Sequence, residues 1–396
     1  MKNLKGQKTY LYTYKHIEVL KRKGLVCTIN AFILTLVFIA SALIAKSTPT
    51  PPKNRFLLFK RAKSLDNGIN ISWYEQTWNR DILRHEPLSD SDFKLMKQLG
   101  FKSIRLPVAF SFFESEHISD GEIFSQIDNI INKCNQYGFK VVICYHSGNL
   151  NESNYLVETK KISDLWLKIT LKYLHKKNND LFFEIYNEPL PINPQIWKDA
   201  AYNIVEAIRK IDPNRTLIIG ASNYNSIYEL SRFIRLADEN IIYTFHFYEP
   251  FLFTHQGAPW IGNQVATIGV AFPYSAEYFP AINPRAVNTD GEKNYHKYPK
   301  DGNEQSVNDK IGIVKAWADK YGVPLLCGEY GVYNKYADLN SRCNYIKAVR
   351  LTLAQMKIPG ILWDYNSNFS IFEGSPSLKN LPDCMKNALN NPRKND

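Results

Sequence analysis

Two glutamates stand at the ends of apolar runs, Glu188 in FFEIYNEPLP (182–191) and Glu329 in PLLCGEY (324–330). Other polar and aromatic residues end similar runs: Arg105 before Leu106 and Pro107, His146 after VVICY, Asn187 beside Glu188, His246 and Tyr248 in HFY, and Trp363 in ILWDY. Taken singly, each has an ordinary explanation as a solvated rim carboxylate, a satisfied core histidine or a packed tryptophan. Together they form a set able to do one kind of chemistry. Two carboxyl groups on opposite walls of a cleft can cleave a glycosidic bond, one protonating the leaving oxygen and the other attacking the anomeric carbon. Retention of configuration requires the two to stand about 5–5.5 Å apart. The acid must hold its proton and the nucleophile must stay ionised. An arginine such as Arg105 beside Glu329 is expected to lower that carboxyl's pKa. Asn187 is placed to hydrogen-bond a sugar hydroxyl.

Such a set needs a scaffold that delivers strand ends to one place. From Gly68 onward, eight short β-type runs (69–72, 102–108, 140–146, 181–187, 216–221, 241–247, 324–330 and 360–365) alternate with amphipathic stretches. In SDSDFKLMKQLG, Phe93, Met96 and Leu99 recur at helical spacing, and EIFSQIDNIINKCNQYG ends in Gly138, a helix C-cap residue. Strand then helix, repeated about eight times, predicts a (β/α)8 TIM barrel over residues 64–396, whose chemistry gathers at the C-terminal ends of the strands. No glycine-rich phosphate loop follows the first run, which argues against a nucleotide-binding sheet. On a regular strand the neighbours Asn187 and Glu188 point to opposite faces, so the strand must end or distort there, and Pro189 is consistent with that exit. The same alternation expects Glu184 and Tyr186 inward with Glu188, and a buried Glu184 then needs a partner.

Together, NEP at the fourth strand, HFY at the sixth and GEYG at the seventh, with SIRLP, VVICYH and ILWDY, resemble glycoside hydrolase family 5, a cellulase-like family of the retaining (β/α)8 clan, from about Gly68 to the C-terminus. The resemblance implies Glu188 as general acid/base and Glu329 as nucleophile. It implies Arg105 and Tyr248 against the nucleophile, His146, Asn187 and His246 around the central sugar, and Trp363 as its platform. Many members carry a second histidine after the first at the third strand; here that residue is Ser147. The expected activity is endo-hydrolysis of a β-linked polysaccharide, with β-1,4-glucan the default. Mannan or a self-made exopolysaccharide, acted on by hydrolysis or transglycosylation, is the alternative, and a non-catalytic glycan-binding protein the alternative of another class. No cofactor and no metal are implied.

The net charge of +11 resembles a nucleic-acid signal until its position is noted. Residues 1–63 hold thirteen Lys and Arg against Glu18 alone, a net of +12, which leaves −1 for the remainder and no phosphate-binding face. Residues 1–23 are a basic segment, 24–45 an uncharged apolar run long enough to cross a bilayer, and 46–63 a linker. Lys21, Arg22 and Lys23 mark the cytoplasmic side, so the barrel is expected outside the cytoplasm on a signal anchor. Cleavage near Ala40-Ser41-Ala42 would instead release it as a secreted protein. Six cysteines show neither metal spacing nor a disulfide framework.

Between Glu249 and Asn303 a long connection carries nine aromatic residues, among them Trp260, Phe272 and Tyr298. Most are expected to form that segment's own small core, although aromatics at this end also suit sugar stacking. Trp73 and Trp78 are open to either a sugar-binding or a structural role, and Trp166, Trp197 and Trp317 read as outer-ring packing.

Overall fold

The computed structural model describes residues 53–77 and 88–390. Eight parallel strands follow one another in space: β1 (Gly68–Asn70), β2 (Ser103–Val108), β3 (Lys140–Tyr145), β4 (Leu181–Glu184), β5 (Leu217–Ile219), β6 (Ile241–His246), β7 (Leu325–Glu329) and β8 (Ile361–Leu362). β1 pairs with both β2 and β8, Gly68 standing opposite Ser103 and Ile361. A bridge between Cys327 and Gly360 joins β7 to β8 and closes the barrel.

The expected helices form where caps and apolar spacing place them. In α2 (Asp90–Gln98), Ser89 and Asp92 make a capping box. In α3 (Asp120–Tyr137), Ser119 accepts from the Glu122 amide, and Gly138 ends the helix at φ 74°, a conformation glycine adopts without strain. Ile123, Ile127, Ile130, Ile131 and Cys134 of α3 are buried against the barrel. Each isoleucine contributes roughly 2 kcal/mol through burial. The outer ring continues with α4 (Tyr155–Tyr173), α5 (Pro194–Arg209), α6 (Ile227–Arg232), α7 (Asp290–Asp301), α8 (Glu304–Tyr321), α9 (Leu339–Gln355) and α10 (Asp383–Leu389). Trp166, Trp197 and Trp317 pack in this ring as expected, each indole N–H donating to a backbone carbonyl.

Part of the expected linker is helical. Helix α1 (Lys53–Ser64) covers the N-terminal end of the barrel, where Leu58, Ala62 and Leu65 pack on Val142, Phe182, Ile218, Ile242, Leu326 and Ile361. Arg55 Nε donates to the Gly322 carbonyl at 2.6 Å and Arg61 Nε to Asn179 Oδ1 at 2.8 Å. The apolar run 24–45 lies outside the described residues, as does Trp78. Among the described residues no helix is long and apolar enough to cross a membrane.

Two expectations need correction. Cys343 on α9 and Cys384 on α10 form a disulfide with Cα atoms 5.8 Å apart. Only the packing of the two helices brings these cysteines together, so no spacing announces them. The fourth strand stops at Glu184 rather than Asn187, and the alternation breaks there. Phe182 and Glu184 face the lumen, but Tyr186 turns outward between Tyr145 and Trp197. Gly148 makes room for it, since a Cβ there would overlap the Tyr186 hydroxyl.

The connection after β6 is ordered by its own aromatics. Phe279 stacks on Tyr295 and Tyr298, and Phe253 and Phe272 pack on Tyr345.

Candidate active site

Arg105 projects from β2 into the lumen and is fully buried. Its Nε and Nη2 grip Glu184 at 2.7 and 2.9 Å, a bidentate pair that supplies the partner a buried Glu184 requires. Its Nη1 donates to Glu329 Oε1 at 2.7 Å and to Asn70 Oδ1 at 2.9 Å, while Nη2 also reaches Asn187 Oδ1 at 2.7 Å. One side chain thus organises the ends of four strands. Asn70 and Cys144, which also accept from Arg105, were not among the sequence candidates. Asn70 lies on β1 in lumen register with Arg105, and that pairing was the available signal.

Glu329, at the end of β7, accepts from Arg105 on Oε1 and from the Tyr248 hydroxyl on Oε2 at 2.8 Å. Glu188 lies just past the end of β4, its side chain 30% exposed, with Oε1 2.6 Å from His246 Nδ1. His246 Nδ1 is also 3.4 Å from Glu329 Oε2. Facing oxygens of Glu188 and Glu329 stand within 4.8 Å of each other. That spacing suits a retaining pair and leaves no room for the intervening water of an inverting one. Gly328 permits the crowding, because a Cβ there would press on Thr244 Oγ1 and His246 Nε2.

Arg105 lowers the Glu329 pKa as expected, but a larger contribution opposes it. Burial pushes the Glu329 carboxyl above the usual carboxylate range; His246, Arg105 and the Tyr248 hydrogen bond pull the other way without outweighing it. Arg105 therefore moderates this carboxyl's pKa and does not set its direction. Burial pulls the His246 ring toward neutrality, but Glu329 and the hydrogen bond to Glu188 prevail and raise it. Burial, with both carboxylates nearby, keeps the Tyr248 phenol protonated and hence a donor. Burial, Arg105 and His246 push His146 down to about 3, so its ring is neutral.

His146 follows β3 and lies parallel to Trp363, ring centroids 6.3 Å apart. Two ring nitrogens at the site, His146 Nδ1 and His246 Nε2, are buried without a protein partner. Asn187, whose Oδ1 is committed to Arg105, keeps its amide N–H groups for a ligand. All eight sequence candidates thus fall at the C-terminal end of the barrel. Ser147 sits beside them at φ 59° in place of a second histidine.

Sequence reasoning missed a third carboxyl at this end. Glu75, in the turn after β1, is buried with its pKa raised to about 8, first by burial and then by Asp364 and Glu329. Asp364, adjoining Trp363, accepts from Ser72 and Ser367. Among the described residues, Glu188, His246 and Glu329 are the cluster with metal-ligating atoms. Those of Glu329 are already engaged by Arg105 and Tyr248, so the geometry is that of a hydrogen-bonded carboxylate pair.

A closed (β/α)8 barrel with paired glutamates at its strand ends defines a glycoside hydrolase. The profile of the cellulase family (glycosyl hydrolase family 5) matches residues 63–369, and the chain belongs to that family. It is similar to endoglucanase C of Acetivibrio thermocellus, 30% identical over 330 residues that cover 78% of this chain and 94% of the relative. It is also similar to endoglucanase 3 of Fibrobacter succinogenes, 29% identical over 82% of this chain, which spans 53% of that longer protein. Among solved structures, endoglucanase Cel5A of Thermotoga maritima superposes with a TM-score of 0.68 at 27% identity, covering 84% of this chain and 99% of its own. The cellulose synthase subunit CcsZ of Clostridioides difficile gives 0.66 at 25% identity, covering 82% and 99%.

Proposed function

We propose that the protein is a retaining endo-β-1,4-glucanase. The observation that carries this reading is the Glu188–Glu329 spacing, within 4.8 Å, in a lumen organised by Arg105. Glu329, fixed by two donors, attacks the anomeric carbon while Glu188 passes its proton to the departing glycosidic oxygen. The bond to the leaving sugar breaks as the glycosyl–Glu329 ester forms. Glu188 then takes a proton from water, whose oxygen attacks the anomeric carbon opposite Glu329, on the face the leaving sugar vacated, and releases the Glu329 carboxylate; two inversions leave the configuration retained. The 2.6 Å contact with His246 Nδ1 holds the Glu188 carboxyl through both proton transfers. The free Asn187 amide donates to the sugar's 2-hydroxyl, and Trp363, braced by His146, carries the sugar face. The endoglucanase relatives favour β-1,4-glucan as substrate.

The apolar run 24–45 behind three basic residues supports an anchored enzyme with the barrel outside the cytoplasm. The Cys343–Cys384 disulfide agrees with an oxidising compartment. Anchoring, together with the likeness to a cellulose synthase subunit, favours a second reading in which the substrate is a β-glucan made by the same cell.

The test is release of new reducing ends from β-glucans, mannans and xylans by the chain from Pro51 onward, beside its Glu329→Ala variant. Cleavage of β-1,4-glucan that vanishes in the variant is the expected result. Cleavage of mannan or xylan alone overturns the substrate, and no turnover by folded protein on any polymer overturns the activity.

A further inference from the structure

The end of the barrel opposite the site has its own surface chemistry. On α1, Leu58 and Ala62 face the barrel, while Phe56, Lys60 and Lys63 recur at i, i+4 and i+7 on the opposite side. Phe56 is 73% exposed and the adjoining Phe59 44%. The loops entering the strands at this end add exposed Lys102, Lys177, Lys320 and Lys357, none with a carboxylate partner, and exposed Leu174 and Ile234. Five carboxylates of the same loops are paired: Asp180 with Lys140, Asp212 with Arg215, Asp238 with Arg209, Glu239 with Arg235 and Asp319 with Lys315. Free charge on this face is therefore positive, although the protein beyond residue 63 is close to neutral overall.

We infer that this face is a docking surface for an anionic lipid bilayer, with α1 lying in the headgroup layer and the active site pointing away from the membrane. The inference rests on the anchoring proposed above. Chain length singles out this occupant. Only seven residues, 46–52, separate the apolar run from α1, and fully extended they reach roughly 25 Å at most. Whatever end of the barrel carries α1 is thereby held close to the bilayer. Aromatic rings beside lysines are the side-chain chemistry of that interface: the rings enter the acyl boundary and the ammonium groups meet lipid phosphates. A glucan strand then approaches the site from the side remote from the membrane.

The test is lysine footprinting of the full chain by an amine-acetylating reagent, read by mass spectrometry. The chain is placed in detergent, in phosphatidylcholine nanodiscs and in phosphatidylglycerol-containing nanodiscs. Lys335 and Lys379, exposed in the loops after β7 and β8, serve as controls at the site end. In phosphatidylglycerol discs, acetylation of Lys60, Lys63, Lys102 and Lys320 is expected to slow about fivefold relative to the controls, and to recover at high salt. Phe56→Ser with Lys60→Glu should abolish that protection while cellulase activity in detergent is unchanged. If the chain inserts into discs but both ends react alike, the docking face is overturned and the anchor stands. If the chain does not enter discs at all, the anchoring reading falls and this inference falls with it. Equal protection in detergent, rising with protein concentration, would identify a second copy as the occupant and overturn the lipid.

Discussion

The Arg105 guanidinium joins Glu184 to Glu329, holding each at 2.7 Å inside the barrel. Glu184 is fully buried; it anchors the cation that positions Glu329. Arg105→Met would leave two buried carboxyls without their counter-charge. Removing one partner of a buried pair costs about 3–5 kcal/mol. The urea midpoint of the variant should fall accordingly, and a loss below about 1 kcal/mol would remove Arg105 from this role.

Glu188→Ala separates the two proton transfers. Cleavage of natural glucan, whose leaving oxygen needs the proton, should slow by about 10²–10⁴-fold. An aryl glycoside with a good leaving group should keep fast formation of the glycosyl-enzyme and show a burst. Equal losses on both substrates would sink the acid/base role.

Tyr248→Phe removes a hydrogen bond that favours the charged form of Glu329. The carboxyl's pKa then rises further, and the acidic limb of the kcat/KM profile, where Glu329 must be ionised, moves to higher pH. An acidic limb that stays in place would show that another group controls it.

Glu75 gives a stability signature. Its folded-state pKa of about 8 lies above the ordinary 4.5, so the fold binds this proton more tightly than the unfolded chain does. Its contribution is fully present below the lower value and is lost as pH rises through the upper one. Glu75→Gln stays neutral throughout. The variant should therefore gain on the wild type between pH 5 and 8, by on the order of 4 kcal/mol at most. Urea unfolding at the two pH values measures the difference, and a pH-independent difference would contradict it.

What could be read from residue order alone was what repeats. Short β-type apolar runs located all eight strands, and residues such as His146, Glu188 and Trp363 were visible because they interrupt those runs at the same end. Glu75 stands five positions beyond β1, in a turn with no period to interrupt, and part of its raised pKa comes from Asp364 almost three hundred residues later. The early end of β4 was hidden because Ile185 and Tyr186 are as strand-like as any residues before them; past Glu184 the chain leaves the regular strand, and Asn187 turns to Arg105 and Glu188 to His246. The net pKa direction of Glu329 was out of reach because the competing burial is a tertiary quantity.

Helix α1 has a consequence for the order in which the molecule is made. Synthesis runs from α1 to β8, so the plug exists before the hole it fills, and the hole is complete only when Ile361 comes to lie beside Gly68. A fragment beginning at β1 would retain every group of the site. It would also uncover the apolar floor of Val142, Phe182, Ile218, Ile242, Leu326 and Ile361, a patch of the kind that makes a chain prone to aggregate.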